Sequence, residues 1–115
     1  MSLGIREMLN VARDAAEAKK AFDIIVLEIK GVSVLCDYFL ICSGRSRTQV
    51  RSIVENIEEK LAVNGTRPKR CEGLKESNWV LLDYGDLVVH VFREEERDFY
   101  NLEHLWADAE VVNSL

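Results

Sequence analysis

The chain has 115 residues, of which 48% are hydrophobic and 30% are charged, a balance typical of one soluble globular domain rather than a disordered or membrane protein. Its formal net charge is −5 at pH 7, which excludes the positive field of a general nucleic-acid binder, so we expect a basic protein partner and no sequence-specific nucleic-acid binding. No apolar run is long enough to span a membrane and the N-terminus lacks the apolar core of a secretory signal, so we expect a single cytoplasmic domain over residues 1–115.

The first half of the chain predicts a helix, two strands and a second helix. Apolar positions at helical spacing predict a modestly amphipathic helix over residues 3–20. Two runs rich in β-branched and aromatic residues, 23–29 and 37–43, predict strands joined by a tight turn. Ser46 followed by Gln49 is a capping-box pattern, and the helix that begins there ends at Asn64 and Gly65.

The second half predicts three strands and a last helix. Pro68, the single proline, predicts an edge strand around residues 67–71, because proline is tolerated mainly at sheet edges. Residues 79–90 predict a hairpin that turns at Tyr84 and Gly85. Apolar residues at helical spacing predict the last helix, namely Phe99, Leu102, Leu105, Trp106 and Ala109. The order α-β-β-α-β-β-β-α predicts an α/β fold in which helices pack on a single mixed sheet of about five strands.

The hairpin has two faces of different character. If its loop is two residues long, Asp83 pairs with Asp86 and Trp79 pairs with His90. One face is then ordinary core, made of Val80, Leu82, Leu87, Val89 and Val91. The other face carries Trp79, Leu81, Asp83, Asp86, Val88, His90 and Phe92.

This second face is predicted to be a contact surface for another protein. Two carboxylates directly opposite each other repel unless a cation lies between them, and unpaired charges are costly to bury in a dry core. Aromatic residues with a charged rim are typical of protein interfaces. The alternative is that a second layer of helices covers the face.

Three features could carry chemistry, and each also has a structural explanation. Residues 43–47, Ser-Gly-Arg-Ser-Arg, join a strand to a helix and could bind an anion, but the spacing of a phosphate loop is missing, which favours a glycine turn with a helix cap. Together with Asp83 and Asp86 this junction is similar to nucleotidyltransferases, but two-metal catalysis needs both aspartates on one strand. His90 could be a general base, but no nucleophile lies near it in sequence, which favours a structural or interface histidine. Cys36, Cys42 and Cys71 lack metal-ligand spacing, so we expect no metal, no cofactor and no disulfide framework.

Several ordered motifs across nearly the whole chain resemble the ribosomal silencing factor family, also called Iojap or RsfS. The matching segments are Asp37-Tyr38-Phe39, Ser43-Gly44-x-Ser46, Glu72-Gly73, the run from Trp79 to Phe92 and the pattern from Arg97 to Trp106. The resemblance implies a nucleotidyltransferase-like fold that lacks enzymatic activity.

The resemblance also implies a partner and a mechanism. Proteins of this family bind the large ribosomal subunit through ribosomal protein L-fourteen, block joining of the small subunit sterically and lower translation when nutrients are scarce. By this resemblance Trp79 and Tyr84 would be the anchors, and Asp83, Asp86 and Glu72 would face the basic partner, with Gly85 and His90 completing the surface. Dimers are expected in the absence of the ribosome. The alternative is a nucleotide-binding or nucleotidyl-transfer enzyme that uses Gly44, Ser46 and Asp83.

Overall fold

The structure is a computed structural model that describes residues 4–29, 36–100 and 110–111. Its elements in chain order are α1 (Ile5–Ala18), β1 (Phe22–Glu28), β2 (Tyr38–Gly44), α2 (Arg47–Val63), β3 (Arg70–Glu72), β4 (Trp79–Asp83), β5 (Leu87–Arg93), α3 (Glu94–Tyr100) and β6 (Glu110–Val111). None of the helices in these ranges has the length and apolar character needed to cross a membrane.

The strands form one mixed sheet in the order β3-β4-β5-β2-β1-β6. Strands β2 and β5 pair in parallel at its centre, and the other neighbouring pairs are antiparallel. The predicted α/β architecture is therefore confirmed, with a two-residue sixth strand that the sequence did not predict. Helix α3 begins at Glu94, in the acidic run expected to start a helix, and residues 101–109 of the predicted last helix lie outside the described residues.

The two long helices cover one face of the sheet. Their buried stripes recur at helical spacing and are made of Met8, Leu9, Ala12, Ala15 and Ala16 on α1 and of Val50, Ile53, Val54, Ile57 and Leu61 on α2. These side chains meet Val80, Leu82, Val89 and Val91, the core face of the hairpin. Each fully buried aliphatic side chain contributes roughly 1.5–3 kcal/mol to stability, so this layer is the main core of the domain.

Ser46 caps the start of α2 as predicted, whereas the Gln49 side chain of the predicted capping box reaches one residue further back than the motif requires. The Gln49 backbone N–H donates to Ser46 Oγ at 3.1 Å, and the Arg45 backbone N–H donates to Gln49 Oε1 at 2.6 Å. At the other end, Asn64 is the C-cap and Gly65 follows with a φ of +83°. The Ser46 side chain thus satisfies one backbone donor that the first turn of a helix otherwise leaves unpaired, and the Gln49 side chain satisfies the N–H of the residue before the N-cap.

The predicted register of the hairpin is wrong by two residues. Trp79 lies opposite Phe92, Leu81 opposite His90 and Asp83 opposite Val88. The turn is therefore centred on Gly85 and Asp86 rather than on Tyr84 and Gly85, and the Tyr84 N–H donates to the Leu87 carbonyl at 2.8 Å. Because side chains alternate with a period of two, a slip of two residues leaves the strand residues on their predicted faces.

A second, smaller apolar cluster lies on the sheet face opposite the long helices. It is made of Leu27, Ile29, Cys36, Phe39, Ile41 and Phe92, with Trp79, Val88 and Ile25 partly buried against it. Strand β3 borders this face and runs from Arg70 to Glu72, slightly later than predicted, so that Pro68 precedes the edge strand. The hairpin thus separates a helix-covered core from an aromatic face.

Candidate protein-binding surface

We call the aromatic face of the hairpin the Trp79 surface. It consists of Trp79, Leu81 and Asp83 on β4 and Val88, His90 and Phe92 on β5. The register places each β4 side chain directly opposite a β5 side chain on the same side of the sheet. The alternation of side chains along the two strands predicted that these six residues share one face.

Four aromatic rings pack against one another at the centre of this surface. Trp79 stacks on Phe92 with ring centroids 5.1 Å apart, and His90 lies nearly parallel to Phe92 at 6.3 Å. Phe39 from β2 meets the His90 ring edge-on at 4.6 Å. Such pairs contribute about 0.5–1.5 kcal/mol each beyond their buried area, so the partly buried Trp79 side chain is held in a defined orientation.

His90 fixes the indole of Trp79 through a hydrogen bond. Trp79 Nε1 donates to His90 Nδ1 at 3.1 Å. His90 is only 4% exposed, and this burial lowers its pKa from 6.5 to about 4. The ring is therefore neutral at pH 7, and its proton lies on Nε2 because Nδ1 is the acceptor. Such a low pKa and this occupied nitrogen favour a positioning histidine over a general base.

Asp83 already has partners within the chain. Its Oδ1 accepts a hydrogen bond from the Gly85 N–H at 2.8 Å, and its Oδ2 lies 3.4 Å from a guanidinium nitrogen of Arg70, the residue opposite it on β3. Asp86 is exposed in the turn and does not face Asp83. The expected repulsion between opposed carboxylates is absent, because the true register separates them and Arg70 supplies the cation.

Tyr84 lies on the other face of the hairpin. Its side chain is 8% exposed and packs into the main core beneath the long helices. Desolvation of its hydroxyl raises the pKa of Tyr84, with the Glu58 carboxylate adding to the effect. Gly85, with a φ of +92°, instead shapes the turn itself. The Trp79 surface therefore does not include the Tyr84 side chain, contrary to the role expected for it as an anchor.

Two cavities open on the Trp79 surface. The first, of about 290 Å³, is lined by Cys36, Phe39, Arg70, Leu81, Asp83, Val88 and His90. The second, of about 230 Å³, is lined by Glu72, Gly73, Trp79 and Leu81. Leu81 forms the ridge between them. The sequence alone predicted neither the cavities nor the roles of Arg70 and Gly73, because these depend on how β3 pairs with β4.

Two side chains of the strand-to-helix junction cap backbone groups of the same segment. The Gln49 side chain caps the backbone N–H of Arg45, and the Ser46 side chain caps the backbone N–H of Gln49. Ser43 lies buried before the turn, and its hydroxyl accepts a hydrogen bond from Arg97 at 2.8 Å. These side chains hydrogen-bond to groups of the same chain. The contacts favour the explanation that the segment is a glycine turn followed by a helix cap. Across the described ranges, no group of three or more His, Cys, Asp or Glu side chains is placed to hold a metal.

Comparison with known proteins identifies the class to which this fold and surface belong, the ribosome-associated silencing proteins. Residues 3–115 match the family model described as ribosomal silencing factor during starvation. The chain is 45% identical over 108 residues to ribosomal silencing factor RsfS of Bacillus subtilis, covering 94% of this chain and 92% of that protein. The chain belongs to the ribosomal silencing factor family, which confirms the resemblance seen in its motifs and supports a role in translational silencing.

Solved structures show the same fold. A crystal structure of a Bacillus halodurans protein, 42% identical, superposes with a TM-score of 0.84 and covers 95% of this chain and 99% of its own. A crystal structure of a Chromobacterium violaceum protein, 34% identical, gives a TM-score of 0.88 over 91% of this chain and 88% of its own. The fold is thus shared at nearly full length by relatives whose sequences have diverged considerably.

Proposed function

We propose that this protein acts in the cytoplasm, binds the large ribosomal subunit through ribosomal protein L-fourteen and sterically prevents the small subunit from joining. Membership of the silencing factor family supports a ribosomal partner. The net charge of −5 favours a basic protein over bare nucleic acid as the direct contact. In this account the protein needs no catalytic activity, only an affinity that competes with subunit association.

The observation that carries the proposal is the preorganised Trp79 at the centre of the aromatic face. Tryptophan is enriched among the residues that dominate binding energy at interfaces, particularly where it borders a pocket. Here the indole is held by stacking on Phe92 and by its hydrogen bond to His90. Because its orientation is set before binding, less conformational entropy is lost when the partner docks.

The residues of the proposed contact fall into two groups. Trp79, Leu81 and Glu72 border the cavities and would touch the partner directly, and the exposed Asp86 would lie at the rim. Asp83, Gly85 and His90 shape the surface through hydrogen bonds within the chain. We therefore expect Asp83 to contribute less to partner binding than the sequence predicted, and Glu72 to contribute more.

Sedimentation tests the proposal. Purified protein is layered with isolated large subunits, first alone and then with small subunits added, and both its position and the yield of joined ribosomes are measured. We expect the protein to travel with large subunits and the yield of joined ribosomes to fall as its concentration rises. Protein that stays at the top of the gradient, with joining unaffected, would refute the proposal.

We also infer that two copies associate through the Trp79 surface when no ribosome is present. An apolar surface with open cavities is a common site of self-association. If one surface serves both contacts, large subunits should dissociate the dimer. Analytical ultracentrifugation over a concentration series measures the dimer, and a purely monomeric protein at high concentration would contradict this inference.

A further inference from the structure

The cavity between β3 and β4, which we call the Glu72 cleft, is built by the register of these strands. It is lined by Glu72, Gly73, Trp79 and Leu81 and has a volume of about 230 Å³. Glu72 lies directly opposite Leu81 in the β3–β4 ladder, so the two side chains share a face, and Trp79 lies two residues from Leu81 on the same strand. A carboxylate, an indole and an aliphatic side chain therefore surround one opening.

Gly73 makes the cleft possible. Its φ is +85°, and a Cβ atom at this position would overlap the carbonyl oxygen of Trp79. Without a side chain at residue 73, the chain turns close against the start of β4 and leaves the space above it open. The glycine therefore sets the wall of the cleft as well as the turn after β3.

Glu72 gives the edge of the cleft a negative charge. Among the described residues, Arg70 is paired with Asp83, whereas the exposed Glu72 carboxylate takes part in no ion pair. The cleft therefore combines the carboxylate of Glu72 at its edge with an aliphatic wall and an aromatic wall. A ligand that fits these features has a positive charge at its tip and a flat or aliphatic portion behind it.

We infer that the Glu72 cleft binds an arginine side chain of the protein partner. Arginine satisfies each feature, because its planar guanidinium stacks on an indole, its stem packs on aliphatic groups such as Leu81, and its paired N–H donors match a carboxylate. The orientation of the indole is already set, since Phe92 packs on its β5 side and His90 accepts its N–H. This inference deepens the proposed function by naming the partner group that one part of the Trp79 surface recognises, and it rests on that function.

A small-molecule titration tests the cleft without the ribosome. The full-length protein is titrated with N-acetylarginine methylamide, and the indole N–H signal of Trp79 is followed by NMR after assignment from its loss in Trp79→Phe. N-acetylcitrulline methylamide, which has the same shape without the charge, is the control ligand. We expect a saturable shift with the arginine compound and at least about tenfold weaker binding of the citrulline compound, since hydrogen bonds to charged groups are the stronger ones.

Two glutamate variants complete the test. Glu72→Gln should weaken binding of the arginine compound at least about tenfold, whereas Glu76→Gln, which removes the same charge from an exposed position outside the cleft, should leave it unchanged. On large subunits, Glu72→Gln should weaken binding about tenfold, and Glu76→Gln should change it by less than about twofold.

The outcomes separate this inference from the proposed function. Equal binding of the two compounds, or equal behaviour of the two variants, overturns the arginine site even if the wild-type protein binds large subunits. If the wild-type protein does not bind large subunits, the proposed function fails, and the titration alone then decides whether the cleft recognises arginine.

Discussion

Acidification should destabilise this protein through His90 before its carboxylates are titrated. In the unfolded chain His90 takes up a proton below its ordinary pKa of 6.5, but in the folded chain burial delays protonation to a pKa of about 4. Between these two values the unfolded state binds more protons than the folded state, so the stability falls as the pH falls. The loss begins near pH 6.5 and is complete near pH 4.

The size of the effect follows from the two pKa values. Each pKa unit is worth about 1.4 kcal/mol, so the gap between 6.5 and about 4 corresponds to about 3 kcal/mol of stability that is present at pH 7 and lost at pH 4. About 2 kcal/mol of this should already be lost at pH 5. A domain of this size is typically stable by only about 5–15 kcal/mol, so the change is large enough to measure.

The assay is urea unfolding followed by circular dichroism at several pH values between 7.5 and 5. His90→Gln provides the comparison, because an amide oxygen can still accept the N–H of Trp79 but does not titrate in this range. The free energy of unfolding of the wild-type protein should fall by about 2 kcal/mol across this range. That of His90→Gln should be nearly constant, whatever its absolute value. Parallel slopes for wild type and His90→Gln would refute the reasoning.

Two further predictions concern local structure. Gly73→Ala should lower the free energy of unfolding by about 2 kcal/mol or more, because the new methyl group meets the Trp79 carbonyl oxygen as well as an unfavourable φ. Gly85 has a similar positive φ, but a methyl group added there meets only the end of a flexible side chain. If Gly85→Ala lowers the free energy of unfolding as much as Gly73→Ala does, the steric explanation is wrong. Ser46→Ala should cost about 1 kcal/mol by removing the cap on the Gln49 N–H, and urea unfolding with no change in midpoint would exclude that contribution.

The parts of the fold that depend on local periodicity were predictable from sequence. Alternation placed Trp79, His90 and Phe92 on one face, and the spacing of Ser46 and Gln49 gave the start of α2. These patterns constrain neighbouring residues on the same element, so no knowledge of the rest of the fold is needed.

The hairpin register was not predictable in the same way. A Tyr-Gly-Asp sequence at residues 84–86 allows the turn to be centred on either pair, and the choice moves every cross-strand partner by two residues. The consequence was greatest at Tyr84, which is a turn residue in the predicted register but a core-facing residue in the observed one. The pattern of the sequence therefore predicted the face of each strand residue correctly, but it predicted the wrong opposing pairs and did not predict the burial of Tyr84.

The cavities and the ion pair required the three-dimensional structure. Arg70 forms an ion pair with Asp83 only because β3 pairs with β4 in one particular register. The same register places Glu72 opposite Leu81. Strand β3 has only three residues and follows an irregular polar segment, so neither its position nor its pairing leaves a periodic pattern in the sequence. The residues expected to touch the partner therefore lie nearer to β3 than to the tip of the hairpin.

Binding of Leu81→Lys to isolated large subunits tests the central claim, that the Trp79 surface is the ribosome-binding face. Leu81 is the ridge between the two cavities, and a lysine there would place a positive charge beside Glu72 and Asp83, in competition with a basic partner. Val63→Lys is the matched control, because Val63 is 79% exposed at the end of α2 and gains the same positive charge in place of an aliphatic side chain. With folding of both variants verified by circular dichroism, we predict that Leu81→Lys loses at least about tenfold in affinity for large subunits while Val63→Lys binds as the wild type does. Undiminished binding of Leu81→Lys would place the ribosome contact elsewhere on the protein and contradict the account.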